Sequence, residues 1–150
     1  MKKLFCLIAL AVGFTSCNDE KHVWIIEDMF YFLDNGSTEG YVTPVTEMTA
    51  GPSTQVDLLV IRNGFAAERH PKQTVKVLVE ESLSTAKVGT DFSLDQQVFD
   101  FQNENTLKLP LRVNIRNSSG KKIVLRLEYG YYDECRSDGR KADKLTIKVK

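Results

Sequence analysis

The sequence is poor in the residues that carry most enzyme chemistry. Its 150 residues include two histidines: His22 lies in the polar stretch Glu20-Lys21-His22 and His70 stands just before Pro71, so solvated side chains are the simplest reading of both. The three cysteines, Cys6, Cys17 and Cys135, have neither the spacing of a zinc site nor the even count of a disulfide framework. No nucleophile elbow, phosphate-cradling glycine loop or metal-binding histidine pair occurs. Glu80-Glu81 reads as a solvated charge pair at a strand end. Catalysis needs a nucleophile with its base, a ligand cluster or convergent carboxylates, and none stands out, so the chain reads as a non-enzyme that needs no cofactor. Charge of one sign is also lacking: 20 basic side chains balance 20 acidic ones, which speaks against a nucleic-acid partner.

A long apolar run is missing as well. The one concentrated stretch, Leu4 to Val12, is too short to cross a bilayer as a helix and follows the basic Lys2-Lys3, the layout of a secretory signal peptide. It closes on Gly13-Phe14-Thr15-Ser16-Cys17, after which the chain turns polar with Asn18-Asp19-Glu20-Lys21. Small residues directly before a cysteine at that place resemble a bacterial lipobox. The resemblance implies cleavage before Cys17 and acylation of Cys17, with several acyl chains giving a firm membrane anchor. A plain signal peptide that leaves Cys17 as a free thiol is the alternative. The acidic Asp19-Glu20 resembles the short signal that sends lipoproteins of gut Bacteroidota-like bacteria to the outer leaflet, which implies an outer-membrane, surface-exposed location.

The domain division follows: residues 1–16 signal peptide, 17–22 lipidated tether, 23–150 a single domain. Removing residues 1–16 from 150 leaves 134, enough for one core. Cys6 leaves with the signal and Cys17 is taken by the anchor, so Cys135 stands alone with no disulfide partner. A semi-buried place near a strand end suits Cys135 better than a reactive one, since no histidine or basic cluster adjoins it.

Beyond the tether the pattern has period two, as expected where successive side chains face opposite sides of a sheet. Val23–Ile26 and Met29–Leu33 are apolar runs that break at the turn cluster Asp34-Asn35-Gly36-Ser37, and Tyr41–Thr46, interrupted by Pro44, suits an edge strand or bulge. Val56, Leu58 and Val60 alternate until Arg62-Asn63-Gly64 turns the chain. Val75, Val77 and Val79 form the next run. The clearest is Leu107, Leu109, Leu111, Val113 and Ile115, followed by Ile123–Tyr129 and Leu145–Val149. No window of similar length has period 3.6. Seven to eight short strands separated by Gly, Asn, Ser and Asp turns predict an all-β, immunoglobulin-like antiparallel sandwich, with an open barrel as its competitor.

From Val56 to about Leu127 the chain resembles the Calx-beta family, through Val60-Ile61-Arg62-Asn63-Gly64, Val75–Val79 and, most specifically, Thr85-Ala86 followed by Gly89-Thr90-Asp91-Phe92. Small lipoproteins of unknown function from gut Bacteroidota-like bacteria, often encoded near nutrient-uptake systems of the starch-utilisation type, are similar at both this motif and the lipobox. Calcium-binding Calx-beta domains carry acidic clusters after the strand that here is Leu107–Ile115. Arg116-Asn117-Ser118-Ser119-Gly120-Lys121-Lys122 stands there instead, without a carboxylate. Calcium takes six to eight oxygen ligands, so Asp91 is a weak metal candidate. The alternative is that Asp91 bonds backbone amides in its own turn.

Binding is the remaining class. Tyr129-Gly130-Tyr131-Tyr132-Asp133-Glu134 is rich in rings and acids. Tyr131, Tyr132 and Asp133 are candidates for stacking on a sugar and accepting its hydroxyl hydrogen bonds, while at least one tyrosine is expected in the core. Trp24 reads as packing. The expected role is an accessory module in glycan or nutrient capture. A structural, adhesive or docking domain of a larger envelope complex is the alternative, using a bare strand edge.

Overall fold

The computed structural model describes residues 30–36, 44–130 and 142–150. Among these described residues alternating side chains become nine strands: β1 (Phe30–Asp34), β2 (Glu47–Ala50), β3 (Gln55–Arg62), β4 (Gln73–Val79), β5 (Phe92–Leu94), β6 (Val98–Phe101), β7 (Lys108–Ile115), β8 (Lys122–Tyr129) and β9 (Lys144–Val149). One helix, α1 (Gly64–Arg69), lies between β3 and β4. The strands form a four-stranded sheet of order β1-β3-β7-β5 and a five-stranded sheet of order β2-β9-β8-β4-β6. The protein is an all-β sandwich, and neither sheet closes into the barrel weighed as the alternative. With β2 and β6 set aside, β1-β3-β7-β5 against β9-β8-β4 is the strand order of an immunoglobulin-like fold.

The differences from expectation have physical causes. The described residues alone hold nine strands where seven to eight were expected, because β2 and β5 have four and three residues, too few for alternation to declare itself. Of the strand expected at Tyr41–Thr46, residues 41–43 lie outside the described residues, Pro44–Thr46 is not strand, and β2 begins at Glu47. β2 also lies parallel to β9, with Glu47 beside Thr146 and Ala50 beside Val149, the one parallel pairing among the described strands. The turn read at Arg62-Asn63-Gly64 instead starts α1, whose six residues are too few to show a period of 3.6. The run Val23–Ile26 lies outside the described residues.

The core lies between the sheets. Phe30, Phe32, Leu58, Val60, Phe101, Leu111, Leu125, Leu127 and Leu145 are buried there. Phe30 joins the sheets through tilted ring contacts, 5.3 Å from Phe101 and 4.9 Å from Tyr129, a favoured geometry for aromatic pairs. A smaller cluster of Tyr31, Leu33, Ile61 and Ala142 lies on the other face of β1 and β3.

Pro110 occupies a place where its missing N–H costs little. It pairs with Leu59 of β3, but the neighbour on the other edge of β7, β5, reaches only Val113. Beyond that point Gln96 Nε2 donates to the Pro110 carbonyl at 2.8 Å. The proline therefore sits where β7 has no strand on that side.

Candidate functional site

Asp91 is fixed by the turn that leads into β5. Gly89 and Gly120 adopt φ of 81° and 76°, a backbone region that L side chains rarely enter, and so shape the two loops that meet at this end of the sandwich. The Asp91 carboxylate is buried, and both its oxygens are engaged: Lys121 Nζ donates to one at 2.7 Å and the Lys87 amide to the other at 2.8 Å. The Lys121 hydrogen bond, followed by that from Lys87, holds this carboxyl below its ordinary pKa. Ser118 Oγ donates to the Asp91 carbonyl at 2.7 Å and Arg116 Nη1 to the Gly89 carbonyl at 2.8 Å. This candidate metal ligand is thus a loop pin, bonded in its own turn and to a cation from the next loop. Among the described residues no group of three or more His, Cys, Asp or Glu side chains is placed to hold a metal ion.

Arg62 plays the corresponding part at the opposite end, where the sequence suggested only a turn. Its side chain is 1% exposed. Nη1 donates to the carbonyls of His70 (3.2 Å) and Pro71 (3.0 Å), and Nη2 to those of Asn103 and, at 2.7 Å, Thr106. The guanidinium also lies 4.9 Å from the centre of the Phe101 ring. Burial lowers its pKa, and the carbonyl dipoles and aromatic face offset the lost hydration. His70, expected to be solvated, is half-buried where its carbonyl meets Arg62.

A surface depression of about 340 Å³ lies where β6 leaves the edge of β4. β6 pairs with β4 only from Gln73 to Lys76, and Val77 N–H then donates to Gln97 O at 2.8 Å. β8 covers the other edge as far as Val79, so Leu78 and Val79 have a strand on one side only. Val88 and Val98, 47% and 51% exposed, flank the opening, with Lys76, Glu81 and Gln97 at its rim. Glu80, expected to be solvated beside Glu81, is half-buried and pairs with Arg126.

Of the expected site residues, Asp91 lies within the described residues. Tyr129, of the ring-rich segment, packs into the core, 7% exposed. Cys17, His22, Trp24, Tyr131, Tyr132, Asp133 and Cys135 lie outside the described residues. The β4 depression had no signal in the sequence beyond Val88 and Val98, two valines outside the main alternating runs. Comparison of the chain with family models and with curated proteins gives no match. Among the described residues no helix is long and apolar enough to cross a membrane.

Proposed function

We propose that this chain is a non-catalytic accessory module of the bacterial envelope, lipidated at Cys17 on the outer membrane and exposed at the surface, that docks a partner protein at the β4 depression. The observation that carries the docking reading is the half-open edge at Leu78–Val79, flanked by two valines about half exposed. Apolar side chains beside an uncovered strand edge suit an extended segment of another protein, whose backbone finds hydrogen-bond partners while its side chains cover the valines. The resemblance to Calx-beta domains is consistent with an adhesive or assembly role, and in this chain its motif residues Arg62 and Asp91 serve the loops. Sugar stacking by Tyr131 and Tyr132, with Asp133 accepting hydroxyls, is the second binding mode of the same accessory module.

A photo-cross-linking residue placed at Val98 in the living cell tests the docking reading. A discrete protein adduct that disappears when Val88→Asp is added supports it. No adduct, or one indifferent to Val88→Asp, removes it. Mass spectrometry of the mature N-terminus tests the anchor, and an unmodified Cys17 would refute it.

A further inference from the structure

The outer face of the five-stranded sheet holds an arrangement that folding alone does not favour. The register of β8 and β9 sets Lys122 directly opposite Lys148, and Arg126 directly opposite Lys144. Cross-strand partners of like charge, with Cβ atoms roughly 5 Å apart, destabilise a sheet. Two such pairs follow one another along a single pair of strands, separated by the uncharged row Val124–Thr146. Only half of this charge is neutralised: Lys148 Nζ lies 2.6 Å from Glu47 and Arg126 is paired with Glu80. Lys122 and Lys144, both half-buried, have no ion pair among the described residues.

The surroundings define the ligand chemistry. Thr49 lies opposite Lys148 and Thr146 opposite Glu47 in the β2–β9 register, on the same face as the cations, so hydroxyl groups alternate with positive charge. The two cationic rows stand four residues apart along the strands, a span of about 13 Å at the usual rise. The face offers a ladder of cations and hydroxyls, with Val124 buried between the two cationic rows. Among the described residues the large hydrophobic side chains that are exposed are Leu83, Val88, Val98 and Leu107, with no ring among them to stack on a base.

We infer that this face binds an anionic polysaccharide, laid along β8 and β9, with its carboxylate or sulfate groups over the Lys122–Lys148 and Lys144–Arg126 rows and its hydroxyls on Thr49 and Thr146. A linear polymer whose charges repeat along its length meets both rows at once, and its hydroxyls match Thr146 between the rows and Thr49 beside Lys148. Bound anions convert the cross-strand repulsion into shared attraction. The inference is independent of docking at the β4 depression, because it uses neither Val88 nor Val98.

The test uses the purified full chain, the double variant Lys122→Gln/Lys144→Gln and the single variant Glu47→Gln. Binding is measured to polygalacturonate, dextran sulfate and neutral dextran, and to double-stranded DNA and anionic phospholipid vesicles. The expected result is binding to polygalacturonate, dextran sulfate or both, and none to dextran. The double variant should bind about tenfold more weakly, which equals ~1.4 kcal/mol, with a shallower salt dependence because fewer counterions are released. Glu47→Gln, which frees Lys148, should tighten binding. The double variant should also melt no lower than the parent, since it removes like-charge pairs. Unchanged affinity in the double variant, DNA or vesicles bound as tightly as the polysaccharides, or a large loss of melting temperature would each overturn the inference.

Discussion

Arg62 and Asp91 stand at opposite ends of the sandwich, both charged and both nearly buried, at 1% and 5% exposure. They solve the same problem, holding long connections onto the strands, by different means. Arg62 spends its donors on four backbone carbonyls from the segment before β4 and from the 103–106 turn. Asp91 meets an opposite charge, Lys121, whose side chain is 40% exposed, and one amide from its own turn. The first anchor is therefore a dry hydrogen-bond hub that salt and pH hardly reach. The second is an ion pair at the water boundary, open to both.

The largest effect should come from breaking the dry anchor. Arg62→Ala leaves four carbonyls without their donor and uncovers the Phe101 ring, and the expected loss is about 3–5 kcal/mol of unfolding free energy, in the range for a buried charged group removed from its partners. Urea denaturation reads this as a lower midpoint. Arg62→Lys should recover less than half, because an ammonium cannot reproduce the planar fork that reaches carbonyls on two segments. Equal stability of Arg62→Ala and the parent would mean that the connections are held by other contacts.

How far these anchors could be read from sequence differs in the same way. The strands were legible because burial on one face imposes period two, and Leu107–Ile115 repeats it without a break. The Asp91 turn was legible in part: Asp91 bonds the Lys87 amide four residues away, a local pattern that Asp adopts often. Arg62 was not, since its acceptors lie 8 to 44 residues along the chain and an arginine before Asn-Gly looks like the start of a solvated turn. The opposed cations of β8 and β9 were hidden for a related reason. Lys122 and Lys148 each read as an ordinary polar-face residue, and only the register sets them against each other. The strand edge at Leu78–Val79 depends likewise on where β6 stops, a matter of tertiary packing.

A middle-sized effect separates backbone geometry from charge at the Asp91 end. Gly89 has open space around an added Cβ but a φ of +81°, whereas Gly64, at the Arg62 end, has equally open space without a positive φ. Gly89→Ala should therefore cost about 1–2 kcal/mol, the strain of holding an L residue in a left-handed conformation. Gly64→Ala should fall within about 0.5 kcal/mol of the parent, as expected where the native backbone suits alanine. Thermal melts of the two variants side by side test this, and equal losses would show that the Gly89 turn shifts freely to relieve the strain.

The smallest loss expected at neutral pH, leaving aside the near-neutral control Gly64→Ala, is that of Asp91→Asn, which keeps an oxygen for the Lys87 amide and gives up only the attraction to Lys121. Its value lies in the pH dependence. Because the folded state lowers the Asp91 pKa from its ordinary 3.8, the unfolded chain takes up protons first as pH falls. The ionic contribution is then complete above the unfolded pKa and disappears as pH drops through the folded one. Melting temperatures of the parent and Asp91→Asn should differ at neutral pH and converge in acid. Added salt should narrow the neutral gap, since the lysine end of the pair is open to solvent. Arg62→Ala should show neither trend, its deficit holding across pH and salt because its acceptors are uncharged carbonyls. A gap for Asp91→Asn that persists below the carboxylate range would place its contribution in packing and erase the distinction between the two anchors.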